Sequence, residues 1–134
     1  MDVREPEEWQ HGHIDGSVPA PRGLLEFFAD PTSPRHKEAL DPRKRTIVLC
    51  ASGARASLAA LTLKTMGYED VAILDGGLKA WTEAGLPTNE HEYSGILSSV
   101  CAGVPAEKPA DHRRVTTSRV RPGQRPGAKG DVFV

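Results

Sequence analysis

As far as Thr88, apolar residues fall into short separate blocks, and each block has the spacing of one structural element. Ile47-Val48-Leu49 and Val71-Ala72-Ile73-Leu74 are continuous apolar runs bounded by polar or turn residues. That is the pattern of strands buried on both faces, and it predicts strands over 46–49 and 71–74. Between them, residues 56–66 carry Leu58, Ala59, Ala60, Leu61, Leu63 and Met66, apolar on most sides, which predicts a deeply packed helix ended by Gly67 in a left-handed cap. Residues 78–84 predict another helix, entered through Asp75-Gly76-Gly77 and stopped by Gly85 and Pro87. Upstream, residues 2–4 have the character of a strand end, and residues 5–11 predict a short polar helix that Pro6 starts. A turn into an extended segment is expected over 13–19, a short helix over 23–29, a break over 30–34 and one helical turn over 37–40. Strands alternating with helices at this spacing imply right-handed crossovers and a parallel sheet, so the fold class is α/β.

Composition divides the chain near Asn89. Acidic residues outnumber basic ones before it, and the reverse holds after it. The later part carries Pro105, Pro109, Pro122 and Pro126 with scattered glycines and arginines, and almost no apolar periodicity after Val104. Such a stretch buries too little surface to offset its ordering entropy, so the expected organisation is a domain over 1–88 and a disordered tail over 89–134. The net charge of −1 points to neither nucleic acid nor a membrane surface, and no apolar run approaches the roughly 18 residues of a membrane span. Cys50 and Cys101 lie far apart in unlike contexts and no basic-then-apolar signal segment is seen, so a reducing cytoplasm is the expected compartment.

Chemistry concentrates at Cys50-Ala51-Ser52-Gly53-Ala54-Arg55-Ala56. An apolar strand runs into a cysteine, a tight loop turned by Gly53, an arginine and then a helix. The loop and the helix N-terminus aim backbone N–H groups and the positive end of the dipole at its mouth, which favours a thiolate at Cys50. Arg55 would add a fixed positive charge. In a parallel sheet such chemistry collects at the carboxyl ends of the strands, where both Cys50 and Asp75-Gly76-Gly77 fall. His11 and His13 are two apart in a turn, without the pattern of a ligand set around them, so no metal site is expected. Trp81 and Trp9 suit core and rim packing, respectively, and Cys101 sits in the one apolar stretch of the tail, 96–104.

The order Asp2-Val3-Arg4, Gly12-His13-Ile14-x-Gly16-Ser17, Cys50-x-x-Gly53-x-Arg55, Gly67-Tyr68 and Asp75-Gly76-Gly77 with Trp81, Gly85 and Pro87 resembles a single rhodanese domain over residues 1–88. The resemblance implies a three-layer α/β/α fold around a parallel sheet and a sulfurtransferase in which Cys50 carries sulfur as a persulfide. It further implies that Ala51, Ser52, Gly53, Ala54 and Ala56 line the substrate loop with Arg55, and that Asp2, Arg4, Gly76 and Gly77 support it. Partners would be a small sulfane donor such as thiosulfate and a thiophilic acceptor, either cyanide, a small thiol or a thiol protein such as thioredoxin. No metal or organic cofactor is called for.

Three departures from the family accompany the match. Asp15 stands in place of a proline and Ala56 in place of a serine. The family's strand, helix and most of another strand before Asp-Val-Arg have no counterpart in residues 1–134, which leaves a start upstream of Met1, a partner that completes the sheet or a remnant as the expectations. The sheet would then lack a strand beside 46–49, with Ile96-Leu97 the tail's only candidate to supply it, and aggregation, oligomerisation or weak activity is expected. Two other readings compete. A cysteine phosphatase would use the same thiolate physics, but it has five residues between cysteine and arginine where this chain has the four of Ala51 to Ala54. A non-catalytic binding module, or an inactive remnant, would keep the fold without the reaction.

Overall fold

A computed structural model describes residues 1–91, 118–120 and 122–123, for 118–120 the backbone alone. The elements run α1 (Pro6–Gln10), a 3₁₀ turn (Arg22–Leu24), α2 (Leu25–Ala29), β1 (Thr46–Val48), α3 (Ala54–Thr65), β2 (Val71–Leu74), α4 (Gly77–Glu83) and β3 (Ser118–Val120). The sheet has the order β1-β2-β3 and is parallel throughout. Register is set by Ile47 opposite Ala72 and by Ile73 opposite Arg119. Helix α3 crosses over between β1 and β2 and packs on both. This is the α/β architecture expected from the pattern. Among the described residues no helix is long and apolar enough to cross a membrane.

All four residues of β2 are buried, as a continuous apolar run between two neighbours requires. They join Val3, Leu25, Val48, Ala59, Ala60, Leu63 and Tyr68 in the core. Tyr68 is buried with its hydroxyl donating to the carbonyls of both Ala29 (2.9 Å) and Leu40 (3.0 Å), so one side chain ties α2 and the loop before β1 to the end of α3. Helix α3 ends where Gly67 takes φ of 93°, with the Tyr68 N–H returning to the Leu63 carbonyl at 3.0 Å.

Three expectations are corrected. Helix α3 is not packed on most sides: its buried face is Ala56, Ala59, Ala60 and Leu63, while Leu58 and Leu61 are 61% and 49% exposed. Alanines at these positions let the helix lie close to the sheet, and the bulkier leucines then fall on its outer side. Nor does strand β1 lack a neighbour. It pairs with β2 on one side, and on the other the Val3 N–H donates to the Leu49 carbonyl (3.0 Å) while the Leu49 N–H donates to the Met1 carbonyl (2.9 Å). The far edge of β2 is paired as well, by Ser118–Val120 from the stretch read as a tail. Three residues offer no periodicity to read, and parallel pairing needs only a backbone free to extend. Ile96-Leu97 and Cys101 lie outside the described residues.

Candidate active site

Cys50 follows β1 and is 1% exposed. Its Sγ accepts the Gly53 N–H at 3.1 Å, the one member of the expected N–H cradle that reaches the sulfur directly. Gly53 takes φ of 111°, a left-handed value that a side chain would resist, and this lets the chain double back over the sulfur before α3 begins at Ala54. The first intrahelical bond runs from the Ser57 N–H to the Gly53 carbonyl, so the first-turn N–H groups of 54–56 have no acceptor within the helix. The Ser57 hydroxyl also donates to the Gly53 carbonyl (3.0 Å), supplying one residue later the hydroxyl that Ala56 does not carry.

The floor of the loop rests on α4. The N–H groups of Leu78 and Lys79 donate to the carbonyls of Cys50 (2.8 Å) and Ala51 (3.0 Å). A Cβ on Gly77 would stand 2.4 Å from the Cys50 oxygen and 2.7 Å from the Ala51 carbonyl carbon and oxygen, and one on Gly76 would stand 2.6 Å from the Ala80 Cβ. Both glycines have positive φ, and their bare backbones let α4 dock against the cysteine. A cavity of about 190 Å³ opens beside the loop between Ser52, Gly53, Ala54 and Ser57 on one side and Asp75 and Gly76 with the end of β2 on the other.

Asp2 and Arg4 lie beneath, as a buried ion pair. Arg4 Nη2 and Nε reach Asp2 at 2.7 and 3.0 Å, and the guanidinium also donates to the carbonyls of Glu8 (3.0 Å) and Gly12 (2.7 Å). With its donors satisfied, the buried cation fixes α1 relative to the strand that ends in Cys50. His13 is buried, its ring stacked on Trp9 at 3.6 Å and its Nδ1 3.0 Å from the Trp9 carbonyl. Trp81 is only half-buried, not core, and its Nε1 donates to the Pro87 carbonyl at 2.9 Å.

Arg55 stands at the end of the loop, with both arms of its guanidinium on Glu8. Nη1 and Nη2 donate to Oε2 and Oε1 at 2.6 and 2.8 Å. The hydrogen bonds from Arg55 hold the Glu8 carboxyl down at about 2, and the same bonds raise Arg55 above its usual range, with a lesser pull from Cys50. No sequence argument singled out Glu8. Its one signal was its place three residues after Glu5, where its carboxylate closes a capping box on α1. A capping box predicts a helix start and not a contact with a residue 47 positions away.

The family model for the rhodanese-like domain matches residues 1–84. A probable adenylyltransferase/sulfurtransferase, MoeZ, of Mycobacterium tuberculosis is 36% identical over 84 residues, 62% of this chain and 20% of that protein. A thiosulfate sulfurtransferase, GlpE, of Pseudoalteromonas translucida is 35% identical over 83 residues, 62% of this chain and 71% of that one. Among solved structures, a Rhodopseudomonas palustris protein of unknown function, titled a possible tyrosine phosphatase, superposes with a TM-score of 0.62 at 43% identity, over 66% of this chain and 67% of that one. A rhodanese-like domain from Anabaena superposes with a TM-score of 0.58 at 29% identity, over 72% of this chain and 94% of that one. Five motifs in order, the cysteine loop seated on α4 and a family match over 1–84 lead to one conclusion: the chain belongs to the rhodanese-like domain family.

Proposed function

We propose that this protein is a sulfurtransferase that moves sulfane sulfur from thiosulfate or a similar donor to cyanide or a thiol through a persulfide on Cys50. The observation that carries the reading is the Gly53 N–H on Cys50 Sγ, in a loop that opens α3. A donor N–H at 3.1 Å and the N-terminal end of a twelve-residue helix stand where they can stabilise the negative charge that develops on the transferred sulfur. In the first half-reaction the Cys50 thiolate attacks the outer sulfur of thiosulfate. The new S–S bond forms as the bond to the sulfonate sulfur breaks, and sulfite leaves with that bond's electron pair. In the second, a thiolate or cyanide attacks the outer sulfur of the persulfide and Cys50 leaves as thiolate. The terminal sulfur stays anionic meanwhile, and the first-turn N–H groups of α3 are suited to stabilise it. Cys50 carries the sulfur itself, so the reaction needs no metal or organic cofactor. A reducing, cytoplasmic setting with small thiols or a thiol protein such as thioredoxin as acceptor suits this chemistry.

Mass spectrometry after incubation with thiosulfate tests it. One added sulfur on Cys50, removed by cyanide as thiocyanate and absent from Cys50→Ser, is the expected result. No added sulfur from thiosulfate or from a persulfide donor would leave a non-catalytic binding role for the fold. The description of the Rhodopseudomonas protein as a possible tyrosine phosphatase raises a second reading, and the site speaks against it in two ways. The loop has only the four residues Ala51 to Ala54 between cysteine and arginine, and Glu8 occupies the arginine that would otherwise grip a phosphate. Hydrolysis of an aryl phosphate that Cys50→Ser abolishes would reverse the assignment.

A further inference from the structure

We propose that Glu8 determines which sulfur donor the Cys50 site accepts: by holding both arms of the Arg55 guanidinium, it turns the site away from a dianion and toward a persulfide carrying little charge. The proposal rests on the sulfurtransferase reading above and narrows its substrate class. A capping carboxylate needs one oxygen, which Glu8 supplies to the Glu5 N–H at 3.0 Å. Here both oxygens are engaged by Arg55, at 2.6 and 2.8 Å, in the planar fork-to-fork geometry that matches a carboxylate best. Arg4 holds the Glu8 backbone carbonyl at 3.0 Å, so the carboxylate is presented by a segment that is itself anchored.

The charge arithmetic of the site follows. Its two described arginines are each matched by a carboxylate, Arg4 by Asp2 and Arg55 by Glu8. Among the described residues, no basic side chain lines the cavity beside the loop, whose walls are Ser52, Gly53, Ala54 and Ser57 with Asp75 opposite. Thiosulfate brings two negative charges to a thiolate. A hydropersulfide R–S–SH with an uncharged R group brings none when protonated and one when ionised. Its transfer balances simply: Cys50–S⁻ attacks the outer sulfur of R–S–SH, the S–S bond of the donor breaks, Cys50–S–SH forms and R–S⁻ leaves with the electron pair. Backbone N–H groups are enough to receive such a donor, whereas a dianion calls for a free guanidinium that Glu8 withholds.

Loading of Cys50 by thiosulfate and by the hydropersulfide of 2-mercaptoethanol, followed by stopped-flow and mass spectrometry on the full chain, tests the proposal. The wild type is expected to load faster from the hydropersulfide. Glu8→Gln frees one arm of Arg55 and removes a negative charge, so it should raise the thiosulfate-to-hydropersulfide ratio of kcat/KM about tenfold, the scale of one charge at several ångströms in a partly exposed site. Glu8→Asp keeps the charge and should hold the ratio near that of the wild type, which a purely structural role would not predict. A ratio unchanged or lowered in Glu8→Gln overturns the proposal. Salt dependence of the wild type reads the same point without a variant. Thiosulfate loading that is flat or faster with added salt supports a matched Arg55, and loading that falls steeply with salt shows a free cation and overturns it. Absence of loading from either donor would overturn the sulfurtransferase reading itself, an outcome distinct from an unchanged ratio.

Discussion

Gly77 and Cys50 are packed backbone to backbone: the position a Cβ would take on Gly77 lies 2.4 Å from the Cys50 carbonyl oxygen. The same oxygen accepts the Leu78 N–H at 2.8 Å, so the start of α4 is the seat on which the cysteine loop is built. Gly77→Ala must therefore push the two apart, against a backbone oxygen that cannot swing away, and adopt φ of 61° with a side chain. A loss of about 2–4 kcal/mol is expected from overpacking and left-handed strain together. Thermal melts should show that loss, and sulfur loading of Cys50 should slow more than tenfold at temperatures where the variant is still folded.

Acid should act through Glu8. Its carboxyl is lowered from 4.5 to about 2 by the hydrogen bonds from Arg55. A group depressed in the folded state contributes stability that is fully present above pH 4.5 and is lost as the pH falls through about 2. Urea melts of the wild type across that window should show a falling midpoint, and Glu8→Gln should flatten this part of the profile. The pair is part-exposed, so the effect will be modest and reduced by salt.

Tyr68 should act at the opposite end of the pH range. Burial is the main cause that raises its hydroxyl from 10.0 to about 12. A group raised in the folded state contributes stability that is fully present below pH 10 and is lost as the pH rises through about 12. Tyr68→Phe leaves the carbonyls of Ala29 and Leu40 without this buried donor and should cost about 1–3 kcal/mol at neutral pH. Chemical denaturation of the two proteins at pH 7 and pH 11 checks both the size and the narrowing of the difference.

The edge of β2 offers a fourth test. Residues 72–74 pair with 118–120, so a chain ending at residue 117 should have a lower melting temperature and faster amide hydrogen exchange over 71–74. An open parallel edge invites pairing between copies, and concentration-dependent association is expected of the shortened chain. Exchange over 71–74 as slow as in the full chain would show that β3 adds nothing to the sheet.

What the sequence determined by itself was local. Two apolar runs became β1 and β2 because residues buried on both faces leave no polar position, and a cysteine, a glycine able to take φ of 111° and a helix start produced the loop whatever surrounds it. The seats of Gly76 and Gly77 were legible too, since only glycine turns that tightly at a strand end. Only the tertiary structure decided the rest. It put Arg55 on Glu8, because a salt bridge between residues 47 apart depends on where α1 lies and not on any spacing. It turned Leu58 and Leu61 outward, because which side of an evenly apolar helix meets the sheet is settled by the close fit of Ala56, Ala59 and Ala60. It also paired Ser118–Val120 with β2, because the ladder is made by backbone groups that every residue but proline carries, and composition does not record where they go.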